Sequence, residues 1–183
     1  MTVPHKREWR GRAKASAIVD SILPSEEARR RFQSDLPRVS GLGGSAASRD
    51  ALVERVIGAL EKGDTAAVTA PHVSKSEYAF LYFPTSAYSR KPYELPLDVA
   101  WLLSEQNSIK GLRRLTRRLG GKRLGFRGYE CGAAVKGGET QFWRSCEVTY
   151  SDPASGSPVT KRLFGAIMER GAAYKFLSYS NDF

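Results

Sequence analysis

Histidine and cysteine are scarce in this chain, each occurring twice among 183 residues. His5 and His72 are too few for a histidine-built site, and Cys131 and Cys146 form no Cys-x-x-Cys pair. There is no Gly-x-Ser-x-Gly elbow, no phosphate-loop lysine motif and no paired-histidine metal motif. These absences leave no cofactor and no metal implied. Long apolar runs are also missing: none approaches the roughly 18 residues of a membrane span. The first residues lack the apolar stretch of a secretory signal peptide, so a soluble, cytoplasmic protein is expected.

Acidic residues are the minority charge, 19 against 29 lysines and arginines, for a net charge of +10. The excess is local. Lys110 to Arg127 carries eight basic residues and no acid, and Met1 to Phe32 adds a second basic stretch. Such a balance permits contact with nucleic acid, anionic lipid or acidic ligands, although charge speaks to steering more than to purpose.

What is present suits one globular domain. Hydrophobic residues make up 41% and charged residues 26%, and the length can bury a core without metals or disulfides. Residues 1–47 read as a basic tail, a short helix after Pro24 and a Gly/Ser-rich connector over Val39 to Ser48. Gly41 to Ser45 matches a phosphate loop in composition only. The domain proper is expected over 48–183.

Ser48 is placed to cap a helix in which Leu52, Val53, Val56, Ile57 and Leu60 share one face, with Gly63 at its end and Asp64 or Thr65 restarting a short helix. Ser74-Lys-Ser-Glu77 has the form of a capping box, so Tyr78 to Phe83 is expected as helix, with a strand as the other reading. Pro96 opens a further helix that runs to Gly120-Gly121, either unbroken or divided near Ser108. Its inward stripe is read as Trp101, Ile109, Leu112, Leu115 and Leu119.

Beyond Gly121 the period changes to that of strands: Arg123 to Cys131, Thr140 to Ser151, Val159 to Glu169 and Ala173 to Ser180. The fold class is therefore α+β, with helices packed on a curved, four-stranded antiparallel meander. With Gly137-Gly138 as a hairpin turn, Cys131 lies opposite Arg144, and a register shift of two would bring it opposite Cys146. Whether the two cysteines are buried free thiols or a disulfide is left open by this reading.

The segment Ala51 to Val68, an amphipathic helix ending in Gly-Asp before a second short helix, resembles the opening of the nuclear-transport-factor-two-like (cystatin-like cone) superfamily. Arg162 to Tyr179, a turn followed by an aromatic-Lys-aromatic strand, resembles that family's last hairpin. The resemblance covers about 48–183 and implies a curved sheet wrapped on a helix around a conical cavity. It also implies homodimerisation through the outer sheet face. The family's early hairpin is not evident here. Members span enzymes, adaptors and ligand-binding domains, so the resemblance selects no activity.

Candidate site residues follow from this outline. Glu105, set between Trp101 and Ile109, is a candidate general acid or base, with an ion pair to Arg127, Arg144 or Arg162 as the structural alternative. Tyr78, Tyr82, Trp101, Arg127, Arg144 and Arg162 are candidate ligand-binding residues, and Tyr88 and Tyr93 could join an aromatic mouth. Lys110, Arg113, Arg114, Arg117 and Arg118 form a candidate anion-binding stripe. The reading favoured is a small-molecule-binding or assembly domain for an unidentified small molecule. Acid/base catalysis at Glu105, of isomerase or hydrolase type, and polyanion or nucleic-acid binding by the basic helix are the alternatives.

Overall fold

The computed structural model describes residues 24–183. The basic tail expected over Met1 to Ser16 lies outside them. Helix α1 (Ser25–Ser34) is followed by α2 (Arg49–Glu61), α3 (Thr65–Thr69), α4 (Lys75–Glu77) and the long α5 (Leu97–Leu119). Three of these starts are capped as the sequence predicts. The hydroxyl of Ser48 accepts from Ala51 N–H, the carboxylate of Asp64 accepts from Ala67 N–H, and Ser74 and Glu77 complete a capping box.

From Glu77 the chain does not turn into a strand. Tyr78–Tyr82 winds as a π-helix, in which the N–H of Phe83 reaches back five residues to the Tyr78 carbonyl, and a tight turn over Phe83–Thr85 closes it. The helical reading of this segment is therefore the right one. Helix α5 is likewise unbroken. Its buried face carries Leu97, Ala100, Trp101, Ser108, Gly111, Leu115 and Leu119, whereas Ile109 is 42% exposed. The helical period that buries Trp101 reaches Ser108, seven residues on, and leaves Ile109 a further residue around the helix.

The second half is antiparallel sheet, as expected from the change of period, but its long runs are divided. The strands are β1 (Gly128–Glu130), β2 (Val135–Gly137), β3 (Thr140–Trp143), β4 (Glu147–Ser151), β5 (Pro158–Lys161), β6 (Ile167–Arg170) and β7 (Ala173–Phe176). They form a four-stranded sheet ordered β2-β3-β6-β7 and a three-stranded sheet ordered β1-β4-β5, with no barrel closure. Each of the two longest predicted strands bends part-way and serves both sheets. The first bend falls at Ser145, whose φ of 51° is left-handed for a residue with a side chain. Alternating spacing does not reveal such a corner, because the burial of Phe142, Cys146, Val148 and Tyr150 keeps its parity across it.

The hairpin turn also falls one residue later than expected. Gly137 pairs with Thr140 around Gly138-Glu139, and Gly138 takes a φ of 62°. Moving a turn by one residue moves every pairing by two, so Glu130 pairs with Glu147 and Cys131 comes opposite Cys146 rather than Arg144. The two cysteines are joined as a disulfide.

The core has two lobes. One gathers α2, α3 and the end of α5 against Cys146, Val148, Tyr150, Phe164, Ile167 and Phe176. The other sets Val73, Tyr78, Leu81, Phe83, Leu97 and Trp101 against Phe142 and Met168. The stretch expected as a flexible connector packs on the second lobe through buried Leu42 and bonds to β7 through an Ala46–Tyr174 bridge.

Candidate functional site

A buried ion pair joins α4 to β7. The Glu77 side chain caps its own helix by accepting from Ser74 N–H at 2.6 Å, accepts from Gly43 N–H of the connector at 2.7 Å, and accepts from the Lys175 ammonium at 2.7 Å. Burial alone would raise the Glu77 carboxyl; Lys175 and the backbone donors more than offset it and hold the pKa below its ordinary value. From this pair two segments run outward on either side of α5: the π-helical stretch from Tyr78, and the C-terminal segment from Leu177.

The C-terminal segment is pinned along α5. Tyr179 donates its backbone N–H to the Ser108 hydroxyl and its phenol to the Val68 carbonyl, and the Asn181 amide donates to the carbonyls of Gly111 and Tyr179. Gly111 allows this contact: a Cβ there would lie 1.8 Å from the Tyr179 carbonyl oxygen. His72 closes the arrangement, its ring stacked on Tyr179 and its Nε2 3.2 Å from the Ser108 hydroxyl. Desolvation, reinforced by Lys175, lowers the His72 pKa to about 4, so the ring is neutral, and its tautomer sets which of Nε2 and the Ser108 hydroxyl donates.

Between the two segments lies a groove of about 320 Å³. Tyr78, Tyr82 and Tyr88 line one side, Leu177, Ser178 and Ser180 the other, and Ala100, Leu103, Ser104, Asn107, Lys110 and Arg114 of α5 the floor and one end. The Tyr78 and Tyr82 rings are 5.0 Å apart, and Tyr78 meets Trp101 edge-on at 5.2 Å. Burial raises the pKa of both phenols, so both stay protonated. Tyr78 donates to the Ala100 carbonyl, while the Tyr82 hydroxyl has no partner among the described residues. The Arg114 Nε contacts Asn181 Oδ1 at 3.4 Å, leaving the outer guanidinium nitrogens for the groove.

The chain, compared with family models, curated proteins and solved structures, matches none of them. Its own geometry is therefore the ground for any reading of function.

Two of the expected residue sets converge on the groove: Tyr78 and Tyr82 from the ligand-binding set, Lys110 and Arg114 from the anion-binding stripe. Trp101 stands behind Tyr78 in the core. Arg144 is exposed at the bend between β3 and β4, close enough to Tyr82 for its charge to act on the phenol. Arg127 lies on the other sheet beside Ser151, and Arg162 pairs with Asp182 at 2.8 Å. Arg113, Arg117 and Arg118 are exposed and do not line the groove. Glu105 is half-buried on α5, outside the groove lining, and its expected ion pairs to Arg127, Arg144 and Arg162 are not formed among the described residues.

Sequence reasoning missed Ser104, Asn107, Ser178 and Ser180. The helical period would have grouped Ser104, Asn107, Lys110 and Arg114 at spacings of three and four residues, on the face that also carries Gly111. Nothing local marks the two serines, which reach the groove because the C-terminal segment runs along α5.

Proposed function

We propose that this chain is a small-molecule-binding domain whose groove takes an anionic ligand with an aromatic or aliphatic body. The observation that carries this reading is the convergence of two cations, Lys110 and Arg114, with the tyrosine wall of Tyr78, Tyr82 and Tyr88 in one cleft. A carboxylate, sulfonate or phosphate would accept from the guanidinium and ammonium and from the free Tyr82 hydroxyl. The ligand body would lie on Leu95, Leu103 and Leu177, in the usual pattern of an apolar cleft with a few oriented polar groups. No carboxylate or histidine is among the residues lining the groove, so acid/base chemistry at Glu105 has less support than binding.

The superfamily resemblance belongs to the same proposal. Its support is the α2–α3 pair around Gly63-Asp64 and the β6–β7 hairpin. The helical Tyr78–Tyr82 in place of an early hairpin makes it a variant form.

Anilinonaphthalene sulfonate, an aromatic anion that fluoresces when shielded from water, tests the binding reading. Saturable binding to the native protein is expected, weakened about tenfold or more in the Lys110→Ala, Arg114→Ala double variant, since each charged hydrogen bond contributes about 1.5–3 kcal/mol. Unchanged affinity in a folded double variant would refute it.

A further inference from the structure

Helix α5 is amphipathic in two directions. Opposite its buried face it exposes Val99, Leu102, Leu103 and Ile109, with 38%, 50%, 49% and 42% of their surfaces in solvent. Spacings of three, four and seven residues place them on one outer stripe. The stripe continues toward the C-terminal end of the helix as exposed Lys110, Arg113 and Arg117. Exposed Tyr88 and Tyr93 stand beside its N-terminal end, where the Leu95 N–H bonds to the Tyr88 carbonyl.

Four exposed aliphatic side chains on one helix face are more than scattered surface residues, and their surroundings indicate what they meet. Over its length α5 carries five cations, Lys110, Arg113, Arg114, Arg117 and Arg118, against two acids, Asp98 and Glu105, in a chain of net charge +10. A second copy of the chain would bring the same excess of positive charge to this face. An anionic lipid surface brings the opposite charge, an apolar layer for the aliphatic stripe and an interface that favours tyrosine. Among the described residues no helix is long and apolar enough to cross a membrane, so the contact is one of lying on the surface.

We propose that the outer face of α5 docks on an anionic lipid surface. Val99, Leu102 and Ile109 enter the boundary between headgroups and acyl chains, and Arg113 and Arg117, which lie outside the groove lining, engage the lipid phosphates. This does not depend on what fills the groove, because Leu102 and Ile109 lie outside its lining.

The test is co-sedimentation of the full chain with equimolar phosphatidylcholine/phosphatidylglycerol vesicles and with phosphatidylcholine alone, together with size-exclusion light scattering. Binding to the anionic vesicles is expected to exceed binding to the neutral ones. The Leu102→Ser, Ile109→Ser variant should weaken it about tenfold or more, from the apolar area withdrawn. Both positions are exposed, and circular dichroism confirms the fold. The Arg113→Glu, Arg117→Glu variant should lose the preference for anionic vesicles. Three results would overturn the proposal: no vesicle binding; vesicle binding unchanged in the Leu102→Ser, Ile109→Ser variant, which indicates adsorption by charge alone; or a dimer that this variant converts to monomer without any vesicle binding.

Discussion

Gly111→Ala sets two effects of opposite sign against each other. In the middle of a helix alanine is favoured over glycine by about 1 kcal/mol, which would stabilise α5. The added Cβ, however, would sit 1.8 Å from the Tyr179 carbonyl oxygen and 2.7 Å from its carbon, well inside van der Waals contact. Helix and C-terminal segment would have to separate, breaking the 2.8 Å bond from Asn181 to the Gly111 carbonyl and stretching that from Tyr179 to Ser108. Two buried hydrogen bonds at about 1 kcal/mol each, with about 1–3 kcal/mol for overpacking, outweigh the helix preference. The net is a loss of about 2–4 kcal/mol, and of roughly 5–15 °C in Tm for a chain of this size. Urea and thermal unfolding followed by circular dichroism measure it. At Gly58 in α2 a Cβ would meet no neighbour within 4 Å, so Gly58→Ala should be neutral or stabilising and serves as the control. A Gly111→Ala protein as stable as the parent would refute the account of how the C-terminal segment is held. If the loss occurs, anilinonaphthalene sulfonate binding should weaken with it, because Leu177, Ser178 and Ser180 form a groove wall.

Lys175→Met should cost about 3–5 kcal/mol by leaving Glu77 buried and unpaired, and Glu77→Gln, Lys175→Met together should cost less than Lys175→Met alone; urea unfolding of the two variants and the wild type decides it. His72 titrates near 6.5 when unfolded and at about 4 when folded, so its contribution is fully present above pH 6.5, is lost as the pH falls toward 4 and levels off below. Between pH 7.5 and 4.5 the loss amounts to about 2–3 kcal/mol, and comparing the urea midpoint at these two pH values in wild type and His72→Gln isolates it from the carboxylates. Cys131→Ser, Cys146→Ser should lower stability by about 3 kcal/mol, as expected for a bridge closing a loop of about 15 residues, and thiol titration of the untreated protein should find no free cysteine.

The helical half was legible because its signals are local. A capping side chain such as Ser48, Asp64 or Ser74 acts within three residues, and the apolar face of α2 declares itself by period alone. The sheets were legible as antiparallel strands but not as two sheets, because the bend at Ser145 leaves the inward parity unchanged. The cysteine pairing hung on the turn: Gly138-Glu139 and Gly137-Gly138 both provide glycine, and only the pairing of Gly137 with Thr140 distinguishes them. In the site, Tyr78, Tyr82, Lys110 and Arg114 could be named as candidates, but on separate grounds. Their meeting depends on contacts made about a hundred residues apart, of which Glu77–Lys175 is the central one. The case for Glu105 rests on Ile109 lying in the buried stripe, and Ile109 is 42% exposed. With Ile109 outside, the desolvation argued for the carboxylate loses its basis.

The same long-range contact determines the shape of the groove. Tyr78 follows Glu77 directly in sequence and Leu177 lies two residues after Lys175, so the ion pair joins the two walls at their bases. Farther along, Tyr179, Asn181 and Gly111 hold one wall to α5, and the Tyr78 hydroxyl bonded to the Ala100 carbonyl holds the other. Both walls are thus fixed to one helix and to each other, which spares a ligand much of the ordering cost of forming the site. Among the described residues the Tyr82 hydroxyl and the outer nitrogens of Arg114 make no hydrogen bond, while the Tyr78 hydroxyl, Ser108 and Asn181 serve the fold. A structural network would satisfy its donors internally; donors fixed in place and left open to a cleft are what an anionic ligand requires.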